Sequence, residues 1–163
     1  MKHTIAVLVE NEFGVLARVS GLFSGRGFNI ESLSVAETQD PTASLITLVT
    51  RGDDQIIEQI IKQLHKLVSV LKVTDMHEGD FLERELLLVK VAATEQSKAE
   101  ILRLVEIFRG KVVDVSPRTY TVEVTGDEGK IRAVLELLQP LGVKEIVRTG
   151  KVAMPRGRQS VSV

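Results

Sequence analysis

The side chains able to do covalent or metal chemistry are few in this chain and poorly arranged for it. The three histidines, His3, His65 and His77, are scattered and not at the spacing of metal ligands. Cysteine is absent, which removes thiolate nucleophiles, disulfides and Cys-ligated metal. Gly126-Asp127-Glu128-Gly129-Lys130 is too short for a phosphate-binding P-loop, and Gly25-Arg26-Gly27 lacks the third glycine of a dinucleotide fingerprint. No Gly-x-Ser-x-Gly elbow occurs. The carboxylates fall on predicted helix surfaces or in the stretch holding Glu78, Asp80, Glu83 and Glu85, and read as solvated. The chemistry left to the chain is binding. Asn11-Glu12-Phe13-Gly14 lies between a strand-like run and a helical stripe. A helix N-terminus presents free N–H groups and partial positive charge, and so attracts carboxylates. Gly14 leaves the backbone open to approach, and Asn11 offers both a donor and an acceptor. Asn29, in Gly27-Phe28-Asn29-Ile30, is polar amid apolar neighbours. These residues fit two roles equally. One is a capping loop, with Asn11 as N-cap and Asn29 as turn former. The other is a ligand site in which Asn29, on a strand at a dimer seam, reaches a ligand held by the Asn11 loop of the other chain.

The elements around these residues follow from periodicity. Lys2 to Val9 reads as a strand. Val15, Leu16, Val19, Leu22 and Phe23 form one helix face, ended by Gly25 and Gly27. Phe28 to Val35 alternates with a phase shift between Ile30 and Leu33 that predicts a bulge. A turn at Gln39-Asp40-Pro41 leads to a strand over Ala43–Thr50, and Asp53 is placed to cap a helix with the stripe Ile56, Ile57, Ile60, Ile61, Leu64. Val68–Val73 closes the unit as a strand, giving βαββαβ. The same order repeats: strand Glu85–Ala93; a helix with Ser97 and Glu100 as capping box; strand Val112–Val115; strand Tyr120–Thr125; a helix through Ile131, Val134, Leu135 and Leu138; strand Val143–Val147. Leu22-Phe23-Ser24-Gly25-Arg26 echoes Ile107-Phe108-Arg109-Gly110-Lys111, an internal repeat at an offset of 85. The fold class is therefore α+β, two tandem ferredoxin-like units with antiparallel sheets and helices on one face. The expected division is 1–76, a linker 77–84, 85–150, and a flexible tail 151–163.

Composition sets the class of partner. Apolar residues make up 44% but aromatics only 4%, so Val, Leu and Ile must build the core. A net charge of -1 gives no field that would steer the chain to nucleic acid or anionic lipid. No run approaches a membrane span, and Met1-Lys2-His3-Thr4-Ile5 leads straight into a strand, so a soluble cytoplasmic protein is expected. Leu45-Ile46-Thr47-Leu48-Val49 is apolar in both phases, so the sheet face without helices needs cover. Dimerisation is the simplest source; the two units covering each other is the alternative.

Leu8-Val9-Glu10-Asn11-Glu12-Phe13-Gly14-Val15-Leu16-Ala17-Arg18-Val19, followed by Leu22-Phe23-Ser24-Gly25-Arg26-Gly27-Phe28-Asn29-Ile30-Glu31-Ser32-Leu33, closely resembles the ACT-domain signature of the acetolactate synthase (acetohydroxyacid synthase) small subunit family. Gln63-Leu64-His65-Lys66-Leu67-Val68, Arg84-Glu85-Leu86, Glu106-Ile107-Phe108-Arg109-Gly110 and Tyr120-Thr121-Val122 extend the resemblance over about Met1–Val152. The resemblance implies an ACT regulatory domain, a second ferredoxin-like domain, and no catalytic residues, metal or cofactor in this chain. It implies a homodimer through the ACT domains and a catalytic large subunit as partner. That subunit would carry thiamine diphosphate, Mg²⁺ and FAD and feed branched-chain amino-acid biosynthesis. Feedback inhibition by valine, with isoleucine and leucine as alternatives, would act at Asn11, Gly14, Val15 and Leu16 of one chain and Asn29 and Ile30 of the other. Phe13, inside the loop, bears on which side chain fits. Two rivals remain. A ligand-responsive transcription regulator of this shape needs a DNA-binding helix-turn-helix or basic ribbon, and an enzyme of the ferredoxin-like class needs a catalytic constellation; neither is visible.

Overall fold

Lys2–Glu10 (β1) has no polar phase because it is an inner strand, buried from His3 to Val9. It pairs antiparallel with Ala43–Arg51 (β3) on one side and Val70–Asp75 (β4) on the other, and Ile30–Glu37 (β2) adds to β3 as an edge, for the order β2-β3-β1-β4. The two helices are Val15–Gly25 (α1) and Asp54–His65 (α2). Ile5, Val7 and Val9 with Ile46 and Leu48 pack against Val15, Val19 and Phe23 of α1 and Ile57, Ile60 and Leu64 of α2. The expected bulge in β2 is present, as a register shift between Ile30 and Ser32. Asp53 caps α2 by accepting the Ile56 N–H.

The second half repeats the plan with Phe81–Ala92 (β5), Lys98–Ile107 (α3), Lys111–Val115 (β6), Thr119–Gly126 (β7), Glu128–Gly142 (α4) and Val143–Arg148 (β8), in the order β6-β7-β5-β8. Leu87, Val89, Val91, Val122 and Val124 pack on Ile101, Leu104, Ile131, Val134 and Leu138. This computed structural model describes residues 1–162, and it divides into two units: one of residues 1–82 with the chain from Lys151 onward, the other Glu83–Gly150.

Several expectations are corrected. The repeat runs at an offset of 82, not 85: Ile5, Val7 and Val9 correspond to Leu87, Val89 and Val91, and Val19 to Ile101. The helix ends agree, since the left-handed residues Gly27 and Arg109 are 82 apart, as are the Phe28 N–H to Phe23 carbonyl and Gly110 N–H to Val105 carbonyl bonds. The echo between Phe23 and Phe108 is out of register by three residues, close to one helical turn, so the apolar stripes nearly superpose either way. The stretch expected as a linker, 77–84, holds the end of a 3₁₀ turn (Met76–Glu78) and the first residues of β5. Ser97 does not form a capping box: its hydroxyl accepts from Thr94 and donates to the Ala92 carbonyl, while Glu100 pairs with Arg103.

The segment expected as a flexible tail forms a strand, Val152–Pro155 (β9), which pairs with β5. It returns to the first unit, and with it comes cover for one patch of the helix-free face. Ala6 and Leu45 on that face carry Met76, Phe81, Ala153 and Val161. Lys72 Nζ donates to the carbonyls of Ser160 and Ser162, and the Lys151 N–H donates to Ser32 Oγ. This patch is covered from within the first unit, by Met76, Phe81 and the chain's own C-terminal segment.

Candidate ligand-binding site

The loop between β1 and α1 is held in place by its neighbours on both sides. The Asn11 N–H donates to the Thr42 carbonyl at 2.7 Å, and the Asn11 side-chain amide donates to the Pro41 carbonyl at 3.0 Å and Glu37 Oε1 at 3.2 Å. With both amide hydrogens engaged, Oδ1 is the atom of Asn11 left to a ligand, and it is an acceptor. On the opposite side the Glu10 N–H donates to the Ser69 carbonyl at 2.8 Å.

Gly14, not Asn11, is the N-cap of α1. It sits at φ 85°, ψ -1°, a left-handed conformation that glycine adopts without Cβ strain, and no side chain caps the helix. The space where its Cβ would be is open. The N–H groups of Leu16 and Ala17 find no acceptor among the described residues, and the first turn holds no acidic residue. By contrast, α2 and α4 carry the caps Asp53 and Asp127. The start of α1 is therefore an open set of donors with a partial positive charge, able to take a carboxylate. Phe13 projects fully exposed beside it, and Leu16 is exposed. Val15 is different: its side chain is buried in the core, so it offers the loop its backbone.

Asn29 and Ile30 lie elsewhere. In β1 Glu10 pairs with Ala43 and Lys2 with Arg51, whereas in β2 Ile30 pairs with Thr50 and Glu37 with Ser44. Asn11, bonded to Glu37, and Asn29, next to Ile30, thus stand at opposite ends of β2, a strand about 23 Å long at ~3.3 Å per residue. Asn29 is exposed, its carbonyl accepting from Thr50 Oγ1 at 2.7 Å, and Ile30 is half-buried against the core. The structure brings Asn11, Gly14, Val15 and Leu16 together and leaves Asn29 and Ile30 apart from them within one chain. Sequence reasoning missed Glu37, Pro41 and Ser69, which fix the loop. The turn at Asp40-Pro41 was legible, but that it folds back onto Asn11 follows only from the β2–β3 register.

The surroundings are acidic. The Glu12 carboxyl, hydrogen-bonded to that of Glu10 and of like charge, pushes Glu10 up from the ordinary carboxylate range. Asp40 is held low by the backbone N–H and the hydroxyl of Thr42, which fix the turn beneath Asn11. Around Asn11 the charge suits an ammonium; the carboxylate-seeking group is the helix end. At the Asn29 end, burial would raise Glu31, but Arg51 and Lys2 outweigh it and hold the carboxyl low. No cluster of three or more His, Cys, Asp or Glu able to hold a metal exists among the described residues, and no described helix is long and apolar enough to cross a membrane.

An antiparallel βαββαβ unit whose first helix starts in an open, glycine-capped loop defines an ACT-type domain, here followed by a second unit of the same plan. Residues 5–72 match the family model for the acetohydroxyacid synthase small subunit-like ACT domain, and residues 84–157 match that for the small subunit of acetolactate synthase. The acetolactate synthase small subunit of Aquifex aeolicus is 56% identical, over 95% of this chain and 81% of its own length. The isozyme 3 small subunit of Escherichia coli is 49% identical over 96% and 97%. The crystal structure of the acetolactate synthase small subunit from Thermotoga maritima superposes with a TM-score of 0.86 at 45% identity, covering 98% of this chain and 99% of that one. The chain belongs to the acetolactate synthase small subunit family.

Proposed function

We propose that this chain is the regulatory subunit of an acetolactate synthase, activating a catalytic large subunit and conferring feedback inhibition by valine. The carrying observation is the match to acetolactate synthase small subunits along nearly the whole chain, joined to an uncapped α1 beside an acceptor on Asn11. Thiamine diphosphate, Mg²⁺ and FAD belong to the large subunit in this reading, and the chain works in the cytoplasm.

The site is completed by a second copy. β2 is an edge strand, and two β2 edges related by a two-fold axis run antiparallel. That arrangement sets the Asn29 end of one chain beside the Asn11 end of the other, closing the gap that one chain cannot span. The valine carboxylate takes the open N–H groups at the start of α1. Its ammonium lies between the Asn11 carbonyl oxygen and Asn29 of the partner copy, and its isopropyl group packs between Leu16 and the other chain's Ile30. Val15 contributes backbone only. Inhibition requires that valine bind the less activating conformation more tightly, a coupling of typically ~1–3 kcal/mol.

Acetolactate formation by the cognate large subunit, measured with and without this chain and with added valine, tests the reading. Stimulation by the chain that valine reverses is the expected result. No effect of the chain on the large subunit refutes the pairing.

A further inference from the structure

We infer that Ser69 is a positioning residue of the effector site, tying the loop at Asn11–Gly14 to helix α1. The inference rests on the effector reading above. Ser69 lies in the turn between α2 and β4 and is only 4% exposed. A bulge in β4 brings it there: β1 Leu8 faces Lys72 but Val9 faces Val70, so Leu71 is skipped and Ser69 advances beside Glu10. Its carbonyl accepts the Glu10 N–H at 2.8 Å, which anchors the start of the loop. Its hydroxyl accepts from Arg18 Nη1 at 3.0 Å and lies 3.5 Å from Glu12 Oε2.

One buried residue thus meets the strand before the loop, a side chain inside the loop, and a side chain in the first turns of α1. The loop's outer flank is held by Asn11 on Pro41 and Glu37; Ser69 holds the inner flank. Nothing lies within 4 Å of the place a Cβ would take at Gly14, so no side-chain packing fixes the loop at that point. The open N–H groups of α1 point at a ligand only if the loop stays registered on the helix, and the Arg18–Ser69 bond is the side-chain link that enforces this. Ordering a loop in advance lowers the cost of binding.

The test uses the full chain with valine as probe. Ser69→Ala keeps the backbone bond to Glu10 and removes the hydroxyl. Arg18→Ala removes the other end of the same link. Each should raise the valine dissociation constant about tenfold, the effect of losing a hydrogen bond to a charged group. The double variant should be no worse than either alone, and Ser69→Thr should restore affinity. Hydrogen exchange in ligand-free Ser69→Ala should quicken over residues 11–18 and stay unchanged over the β-strands. Gly14→Asp serves as the control for the site itself. If Gly14→Asp loses valine while Ser69→Ala keeps both parental affinity and parental exchange, the tether is wrong and the site stands. Exchange that quickens across the whole unit in Ser69→Ala would assign the residue to stability and overturn the positioning role. If the parent chain binds none of valine, leucine or isoleucine, the effector reading fails and the inference falls with it.

Discussion

A substitution at the exposed edge of β2 should separate assembly from folding and remove effector binding with it. Val35 stands opposite Ile46 on this edge and is 43% exposed in the single chain. Covering the rest of that side chain at a seam is worth about 1 kcal/mol per chain. Val35→Lys forfeits this on both copies and brings two like charges to the seam, for about 3 kcal/mol in all, or roughly two orders of magnitude in the dimer dissociation constant. The fold itself should survive, because Val35 is absent from the core that holds the two helices. Sedimentation velocity over a concentration series reads the assembly, and calorimetric titration with valine on the same samples reads the site. Valine binding should disappear in step with the dimer, since about 23 Å separates the two ends of β2 in one chain. A Val35→Lys monomer that binds valine with parental affinity would refute the two-chain site. A variant that dimerises as the parent does would refute β2 as the seam.

Two other outcomes follow from the same geometry. Gly14→Asp finds open space for its side chain but places a Cβ on backbone at φ 85°, so melting temperature should fall modestly, while its carboxylate occupies the open N–H groups of α1 and valine affinity, measured by calorimetry on the folded variant, falls by tenfold or more; unchanged affinity would rule out the helix-end picture. Glu31, held below the usual glutamate range by Arg51 and Lys2 against its partial burial, contributes stability that is present above its unfolded pKa and lost as pH falls through its lower folded one. Glu31→Gln should therefore flatten the acid limb of melting temperature against pH between about pH 3 and 5, and superimposable limbs would sink the assignment.

Much of the architecture was legible because the inner strands and helix stripes carry their burial in their residue types. Ile5, Val7 and Val9, or Ile57, Ile60 and Leu64, alternate or recur at the spacing that the core demands. The β2 bulge showed as a phase slip between Ile30 and Leu33. The repeat was legible but misregistered, because a helix stripe moved by three residues still looks like itself. The fate of the C-terminal segment was not legible: Met154-Pro155-Arg156-Gly157-Arg158 has the composition of a loose end, and only the apolar face at Ala6 and Leu45, far off in sequence, gives it a place. Within the site, Gly14 and Asn11 stood out by type, but Asn11 could not be told from an N-cap until its amide was seen to reach Pro41 and Glu37. Ser69 carried no signal at all, since serine in a turn is ordinary and its role depends on a skipped residue in β4.

The return of the chain at Lys151 makes the first unit discontinuous, with residues 83–150 inserted into it. During synthesis β1 to β4 emerge early and can pair, yet Ala6, Leu45 and Met76 must wait for Ala153 before their shared patch is sealed. The second unit, contiguous in sequence, can fold while that patch is still open. The nascent protein therefore carries a temporarily sticky first unit until the segment from Lys151 has been made. Folding of the first unit finishes only once Ala153 has been made, so a product truncated before it should expose apolar surface on the helix-free face even when all four strands β1 to β4 are present.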